Sequence, residues 1–303
     1  MHRLYRIFGL VIRSAVPLPA LPFNSPEQNT EPDVFIVYGL TPEKLVNPRS
    51  DKDWFQADNR EFLLHIQGIA RYCIQDGCRI TITPENGADE DEVLLFLMGS
   101  AMGALLHQRN VLVLHAGAIM VNGRGRIFLG PSGIGKSTLA AGLYKRGYPF
   151  LTDDVCAITL IDGIITVIPG FPLLKLCTDV LDRLETERKG LKCIRGPQGF
   201  EKYFLPVDHI QDTPVPLEAV YGLETAEVEK IIITRMKGVE KINLLIANTY
   251  RFEFLQGQVR LPDHFQRCAD IGAKIATYRV IRPDKTFLLE ELMNLLEENF
   301  RKT

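Results

Sequence analysis

RIFLGPSGIGKSTLAAGLYKRGYPFLTDD, residues 126–154, carries the most informative order of residue types in the chain. Arg126–Leu129 has the apolar density of a strand and runs straight into glycines. Lys136 to about Arg146 reads as an amphipathic helix stopped by Gly147, and Tyr148–Thr152 as a second strand ending on Asp153-Asp154. Between the first strand and the helix, Gly130-Pro-Ser-Gly-Ile-Gly135-Lys136-Ser137 satisfies G-x-x-x-x-G-K-[ST]. A match flanked in this way is much more specific than the motif alone. The glycines let residues 130–138 curl, so that backbone N–H groups at Gly130, Ser132, Gly133, Ile134, Gly135 and Thr138 point at phosphate oxygens. Lys136 supplies a point charge between the β- and γ-phosphates, Ser137 offers a hydroxyl to Mg²⁺, and the helix start adds its positive end. The expected ligands are ATP and Mg²⁺.

Asp153-Asp154 falls at the C-terminal end of its strand, the edge where open α/β sheets bind ligands. Two neighbouring acids there can divide two tasks: one holds the metal or its water, and the other takes the proton of an attacking hydroxyl. His115, near the end of an expected strand Val111–Met120, gains interest from the phosphate loop and aspartate pair downstream of it. The other five histidines read as core or surface residues.

Outside this stretch the chain changes character twice. Residues 1–86 read as strands and turns. They comprise Leu4–Ile12, a stop at Pro17, Pro19 and Pro22, a polar loop over 24–32 and a strand at Val34–Tyr38. A loop over 41–60 and a meander of Glu61–Gln67, Ala70–Gln75 and Cys78–Pro84 follow, with Asp76–Gly77 as a hairpin signal. From Asp89 four acids open a helix that stays apolar to Leu106. Asn122–Gly123 and Asp162–Gly163 mark two further hairpins, the second joining Val155–Leu160 to Ile164–Ile168. Residues 185–215, with Gly190, Gly196 and Gly199, read as a mobile segment. Strands over 217–234, helices over 237–250 and 263–275, a strand at 277–281 and a helix over 285–300 complete the chain. The expected class is mixed α/β: a strand-rich region 1–86 and a P-loop core 87–303, either separate or one continuous domain.

The 303 residues are 46% hydrophobic and 24% charged, enough to build a sizeable core. Lys plus Arg number 35 against 37 Asp plus Glu, a balance that argues against holding nucleic acid by bulk charge. The opening MHRLYRIFGLVIRS is broken by Arg6 and Arg13 and does not read as a secretory signal. The apolar run Val93–Leu106 is too short to span a bilayer, so no membrane partner is expected and cytoplasm is the default. Six cysteines form no CxxC pair and no zinc-finger spacing, and are read as reduced thiols.

At His115-Ala-Gly117, Gly130–Ser137 and Arg146-Gly147-Tyr-Pro-Phe-Leu-Thr152-Asp153-Asp154 the sequence resembles the HPr serine kinase/phosphorylase catalytic domain. The resemblance covers roughly residues 105–170. It implies a core related to that of phosphoenolpyruvate carboxykinase. It implies Asp153 as general base toward a serine hydroxyl, His115 beside it, and Asp154 with Ser137 near Mg²⁺. Cys193-Ile-Arg195-Gly196 is followed by Pro197-Gln-Gly199-Phe200, which departs from the glycine-rich signature of true HPr kinases. Three flanking motifs are instead similar to HprK-like kinases of peptide gene clusters, among them the lasso-peptide tailoring kinases. These are Tyr5–Leu10 with Pro17–Leu21, Pro172–Leu176 and Lys202–Val207. That similarity implies transfer of the γ-phosphate of ATP to the C-terminal serine of a precursor peptide, with Lys175, Arg195 and Lys202 as substrate contacts. A carrier-protein or small-molecule acceptor, a non-catalytic nucleotide-binding regulator, and a homo-oligomeric state stay open.

Overall fold

The computed structural model describes residues 3–19, 30–195, 201–208, 211, 213–256, 261–285 and 288–302. Its first sheet has eight strands: β1 (Arg3–Ile7), β2 (Leu10–Ser14), β3 (Val34–Tyr38), β4 (Ser50–Lys52), β5 (Phe55–Ala57), β6 (Glu61–Ile66), β7 (Ala70–Gln75) and β8 (Arg79–Pro84). They are ordered β1-β2-β3-β8-β7-β6-β5-β4. Two expectations are corrected here. Leu4–Ile12 is a hairpin rather than one strand, because Phe8 and Gly9 both take left-handed φ values, 53° and 69°, and reverse the chain. The expected loop 41–60 contains the β4–β5 hairpin, whose edge strand Ser50-Asp51-Lys52 has no apolar residue to reveal it.

The acidic segment opens α1 (Glu90–Phe96), where the Asp89 carboxylate accepts the Asp91 N–H. A π-helical turn (Leu97–Ala101) then leads into α2 (Met102–Gln108), and every residue from 97 to 108 is buried. His107 on α2 is wholly buried and hydrogen-bonds the Tyr250 carbonyl at 2.8 Å, so its Nε2 donates. Burial pushes its pKa down from 6.5 to about 4. Below pH 6.5 the unfolded chain takes up this proton first, so stability falls as pH drops toward 4. We expect a loss of roughly 2–3 kcal/mol from this group across that window. Urea melts of wild type and His107→Gln at pH 7 and pH 4.5 check it: the variant's dependence is flatter.

The second sheet is built from β9 (Leu112–His115), β10 (Gly117–Val121), β11 (Arg124–Leu129), β12 (Phe150–Thr152), β13 (Val155–Ile161), β14 (Ile164–Ile168), β18 (Val215–Ala226), β19 (Ile232–Arg235) and β20 (Ala276–Pro283). The expected strand Val111–Met120 is broken at Ala116, and the break lets the chain change neighbours: β9 pairs with β13, whereas β10 pairs with β11 and β12. β11, β18 and β20 run parallel, and the long β18 joins the two halves of the sheet through β14. Among the helices, α3 (Lys136–Lys145) packs on this sheet, and α5 (Val239–Ala247), α6 (Leu261–Lys274) and α7 (Leu289–Phe300) fall where their amphipathic periods put them.

A three-stranded sheet, β15 (Leu173–Cys177), β17 (Glu201–Pro206) and β16 (Lys192–Arg195), stands beside the core, with α4 (Thr178–Arg183) following β15. The segment expected to be mobile, 185–215, contains two of these strands, and Gly196 and Gly199 lie outside the described residues. Ile194 and Phe204 are buried against the common core, which gives these short strands a reason to form. The fold is mixed α/β with a strand-rich N-terminal part, as expected. One apolar cluster holds Ile12, Ile36 and Phe62 of the first sheet together with Val113, Val155, Ile168 and Phe254 of the second region. All six cysteines are free thiols, and burial pushes Cys73, Cys156 and Cys268 up to about 12.

Candidate active site

β12 and β11 both run antiparallel to β10, so their C-terminal ends open on the same edge of the sheet. The loop after β11 turns through Gly130, Gly133 and Gly135 at φ of 145°, 81° and 104°. A side chain at Gly130 would put its Cβ 2.7 Å from the Leu223 carbonyl oxygen. At Gly117 it would lie 3.2 Å from the Ala140 Cβ, so the glycine lets α3 sit hard against β10. Lys136 is buried at the start of α3, and its Nζ donates to the carbonyls of Gly130 at 2.7 Å and Pro131 at 3.0 Å. Burial pulls its pKa down to about 8, against the upward pull of Asp153 and Asp154.

The two aspartates sit in different surroundings. Asp153 is buried: its Oδ1 accepts the Ser137 hydroxyl at 2.8 Å, and its Oδ2 accepts the Lys175 N–H at 3.3 Å. Burial, and then the neighbouring Asp154 charge, raise its pKa above the ordinary carboxylate value. Asp154 takes a left-handed backbone, φ 73°, a conformation uncommon outside glycine and concentrated at functional sites. Its Oδ1 lies 3.0 Å from the His115 Nδ1, and its Oδ2 accepts from the Lys175 Nζ at 3.1 Å. Burial works against this carboxylate, but the Lys175 ammonium and then His115 outweigh it and hold the pKa well below the usual range.

These contacts are arranged differently from the pairing that the resemblance implies. His115 stands beside Asp154 and not Asp153, because the β9–β13 register sets it opposite Val155. Ser137 hydrogen-bonds Asp153 and not Asp154, because the first turn of α3 faces the end of β12. A cavity of about 590 Å³ is lined by the loop from Ser132 to Thr138, by His115, Asp153 and Asp154, and by Lys175 and Lys202. Lys175 is mostly buried, and the backbone of Lys202 pairs with Cys177 across β15 and β17. Arg195 ends β16, and its side chain lies outside the described residues.

Two groups escaped the sequence reading. The Asn248 Oδ1 accepts the Gly130 N–H at 2.8 Å, and the Arg282 Nη2 donates to the Ile134 carbonyl at 3.0 Å. Arg282 lies near the end of a strand parallel to β18, which itself runs parallel to β11, and that is a usable signal; Asn248 has none, being 118 residues from its partner. Two of the flanking motifs pair directly, and the first packs just upstream of them. The Phe8 N–H donates to the Pro169 carbonyl at 3.1 Å, and the Phe8 ring packs edge-on against Phe171 at 5.6 Å. Residues 173–176 then pair with the strand that carries Lys202–Pro206.

Mg²⁺ favours one or two carboxylates plus phosphate oxygens over an all-protein cage. The Ser137–Asp153 oxygen pair fits that preference, and among the described residues no cluster of three or more His, Cys, Asp or Glu side chains is set for a metal. Among the described residues no helix is long and apolar enough to cross a membrane.

No protein-family model matches the chain, and no curated protein sequence matches it. Among solved structures, the Hpr(Ser) kinase/phosphatase from Coxiella burnetii is similar at 13% identity, over 63% of this chain and 91% of that one, with a TM-score of 0.34. That is a similarity and no more.

Proposed function

We propose that the protein is an ATP-dependent phosphotransferase that moves the γ-phosphate to a serine hydroxyl of a peptide. One observation carries the reading: a phosphate loop and an aspartate pair with divided surroundings face each other across a single cavity. The loop N–H groups and Lys136 hold the β- and γ-phosphates. Ser137 and Asp153 supply the hard oxygens for Mg²⁺, which neutralises phosphate charge when bound.

Asp154 is assigned as the proton acceptor on access rather than basicity, since Asp153, whose pKa is raised, is the more basic carboxylate but the less reachable one. Asp154 is half-buried at the cavity wall, whereas Asp153 is buried with Ser137 and Lys175 on its two oxygens. In the transfer the serine oxygen bonds to the γ-phosphorus as the bond from that phosphorus to the β–γ bridging oxygen breaks. ADP leaves, and the serine proton passes to Asp154. His115 and Lys175 hold the carboxylate in place, and Lys175 adds positive charge beside the transferring group. The peptide acceptor, with a C-terminal serine, is carried by the resemblance of the flanking motifs Tyr5–Leu10, Pro172–Leu176 and Lys202–Val207.

Incubation with Mg·ATP and serine-ended peptides, read by mass spectrometry, tests the proposal. The expected result is a phosphate added at serine, lowered at least roughly 100-fold in Lys136→Ala. Tight ATP binding with no transfer to any peptide, carrier protein or small hydroxyl compound favours a nucleotide-binding regulator and overturns it.

A further inference from the structure

Residues 248–250 follow α5 directly, and their three side chains point to different places. The Asn248 Oδ1 accepts the Gly130 N–H while its Nδ2 donates to the Leu244 carbonyl at 2.8 Å, so the amide has its two ends assigned. The Asn248 carbonyl accepts the His115 N–H at 2.8 Å. Two residues on, the Tyr250 N–H donates to the Val113 carbonyl at 2.9 Å, and the Tyr250 ring lies 6.1 Å from the His115 ring, tilted by 30°. Asn248 and Tyr250, on either side of Thr249, thus grip the first residue of the phosphate loop and the strand and ring of His115.

The surrounding chain is shaped for Tyr250. A Cβ at Gly103 would lie 2.8 Å from its ring. A Cβ at Gly99 would lie 3.1 Å from its hydroxyl and 4.0 Å from the Asp154 Oδ2. Gly99 belongs to the buried π-helical turn, a form concentrated at functional sites. Asp154 and Arg251 on either side are both left-handed, at φ of 73° and 48°. Irregularities of this kind persist where the structure around them demands them.

We propose that Asn248 and Tyr250 are positioning residues that fix the phosphate loop against the His115–Asp154 pair, and so align donor and acceptor for transfer. The kinetic consequence rests on the phosphotransferase reading; the geometric one does not. A misplacement of about 1 Å costs on the order of 100-fold in rate when reacting groups must be aligned.

Steady-state kinetics on the full chain are the test. Asn248→Ala and Tyr250→Leu are expected to lower kcat by roughly 10- to 100-fold, with KM for ATP changed by less than about 3-fold. Tyr250→Phe, which keeps the ring, recovers most of the rate, and Gly103→Ala, whose new Cβ presses on that ring, reproduces the loss without substituting Tyr250. Thr249→Val serves as the internal control. Its hydroxyl contacts the Leu245 carbonyl and the His264 Nε2, away from the site, so it lowers thermal stability and leaves kcat alone. If kcat falls in all these variants in proportion to lost stability, or does not fall, the assignment is overturned. Should the wild-type protein transfer phosphate to nothing, the phosphotransferase reading fails separately. A crystal structure of Asn248→Ala then decides the geometry, where an unchanged separation of Gly130 and Asp154 overturns the clamp and a widened one supports it.

Discussion

Asp154→Asn lowers phosphoryl transfer by roughly 1,000-fold at saturating Mg·ATP and leaves nucleotide affinity within a few-fold. The substitution keeps shape and volume, so the loss reports the missing proton acceptor. Asp153→Asn gives the opposite pattern. It leaves Ser137 facing an amide, weakens the hold on Mg²⁺, and raises the metal concentration needed for half-maximal rate. The reason is steric as much as electrostatic. An acceptor hydroxyl enters from the cavity, and Asp154 presents the more open carboxylate, held by His115 and Lys175 at 3.0 and 3.1 Å. Because Lys175 and His115 keep Asp154 ionised against its burial, acidification through the ordinary carboxylate range does not protonate it. Fluorescence titration of a nucleotide analogue, with Mg²⁺-dependent kinetics on both variants, separates the two roles. If instead Asp153→Asn abolishes transfer at every Mg²⁺ concentration while Asp154→Asn retains it, the proton acceptor is Asp153, as the resemblance implies.

The legible part of the sequence was local. The phosphate loop declares itself because its glycines, lysine and serine act within one turn, between a strand and a helix adjacent in sequence. Asp153-Asp154 is legible for the same reason: one helix later, the chain returns to the same edge. The division of labour between the aspartates was hidden, because it depends on which strand pairs with β13. No pattern within Val111–Met120 announces the break at Ala116 that sends His115 and Gly117 to different neighbours. The π-helical turn was concealed by an apolar run that reads as continuous helix. Phe8 was concealed because a left-handed phenylalanine carries none of the usual turn chemistry. Ser50-Asp51-Lys52 is a strand only because Phe55-Gln56-Ala57 pairs with it. Each of these features depends on packing and pairing to which local propensity is blind.

Phe254→Ala has the largest expected effect on stability, and it tests whether residues 1–86 are a separate domain. Phe254 belongs to the short 3₁₀ turn Phe252–Leu255, far along the chain, yet its ring sits among three aromatics of the first sheet region. Its centroid lies 4.5 Å from Phe62, 5.1 Å from Phe55 and 5.2 Å from Trp54, and it is fully buried. Arg251, three residues earlier, places its guanidinium 5.2 Å from the Trp54 ring centroid. Truncating a buried phenylalanine loses its transfer free energy and leaves a cavity, together about 3–5 kcal/mol. For a chain of this size that lowers Tm by roughly 6–10 °C. Phe254→Leu, which refills part of the space, costs less. Because the same apolar cluster runs from Ile12 through Phe254 to Val155, the strand-rich part and the phosphate-loop part are expected to unfold together. Calorimetry on the wild-type protein therefore shows one transition, and in Phe254→Ala that single transition moves down whole. Two resolved transitions in the wild-type protein, with only the one belonging to residues 1–86 shifted in the variant, make the first sheet an independent domain resting on the core.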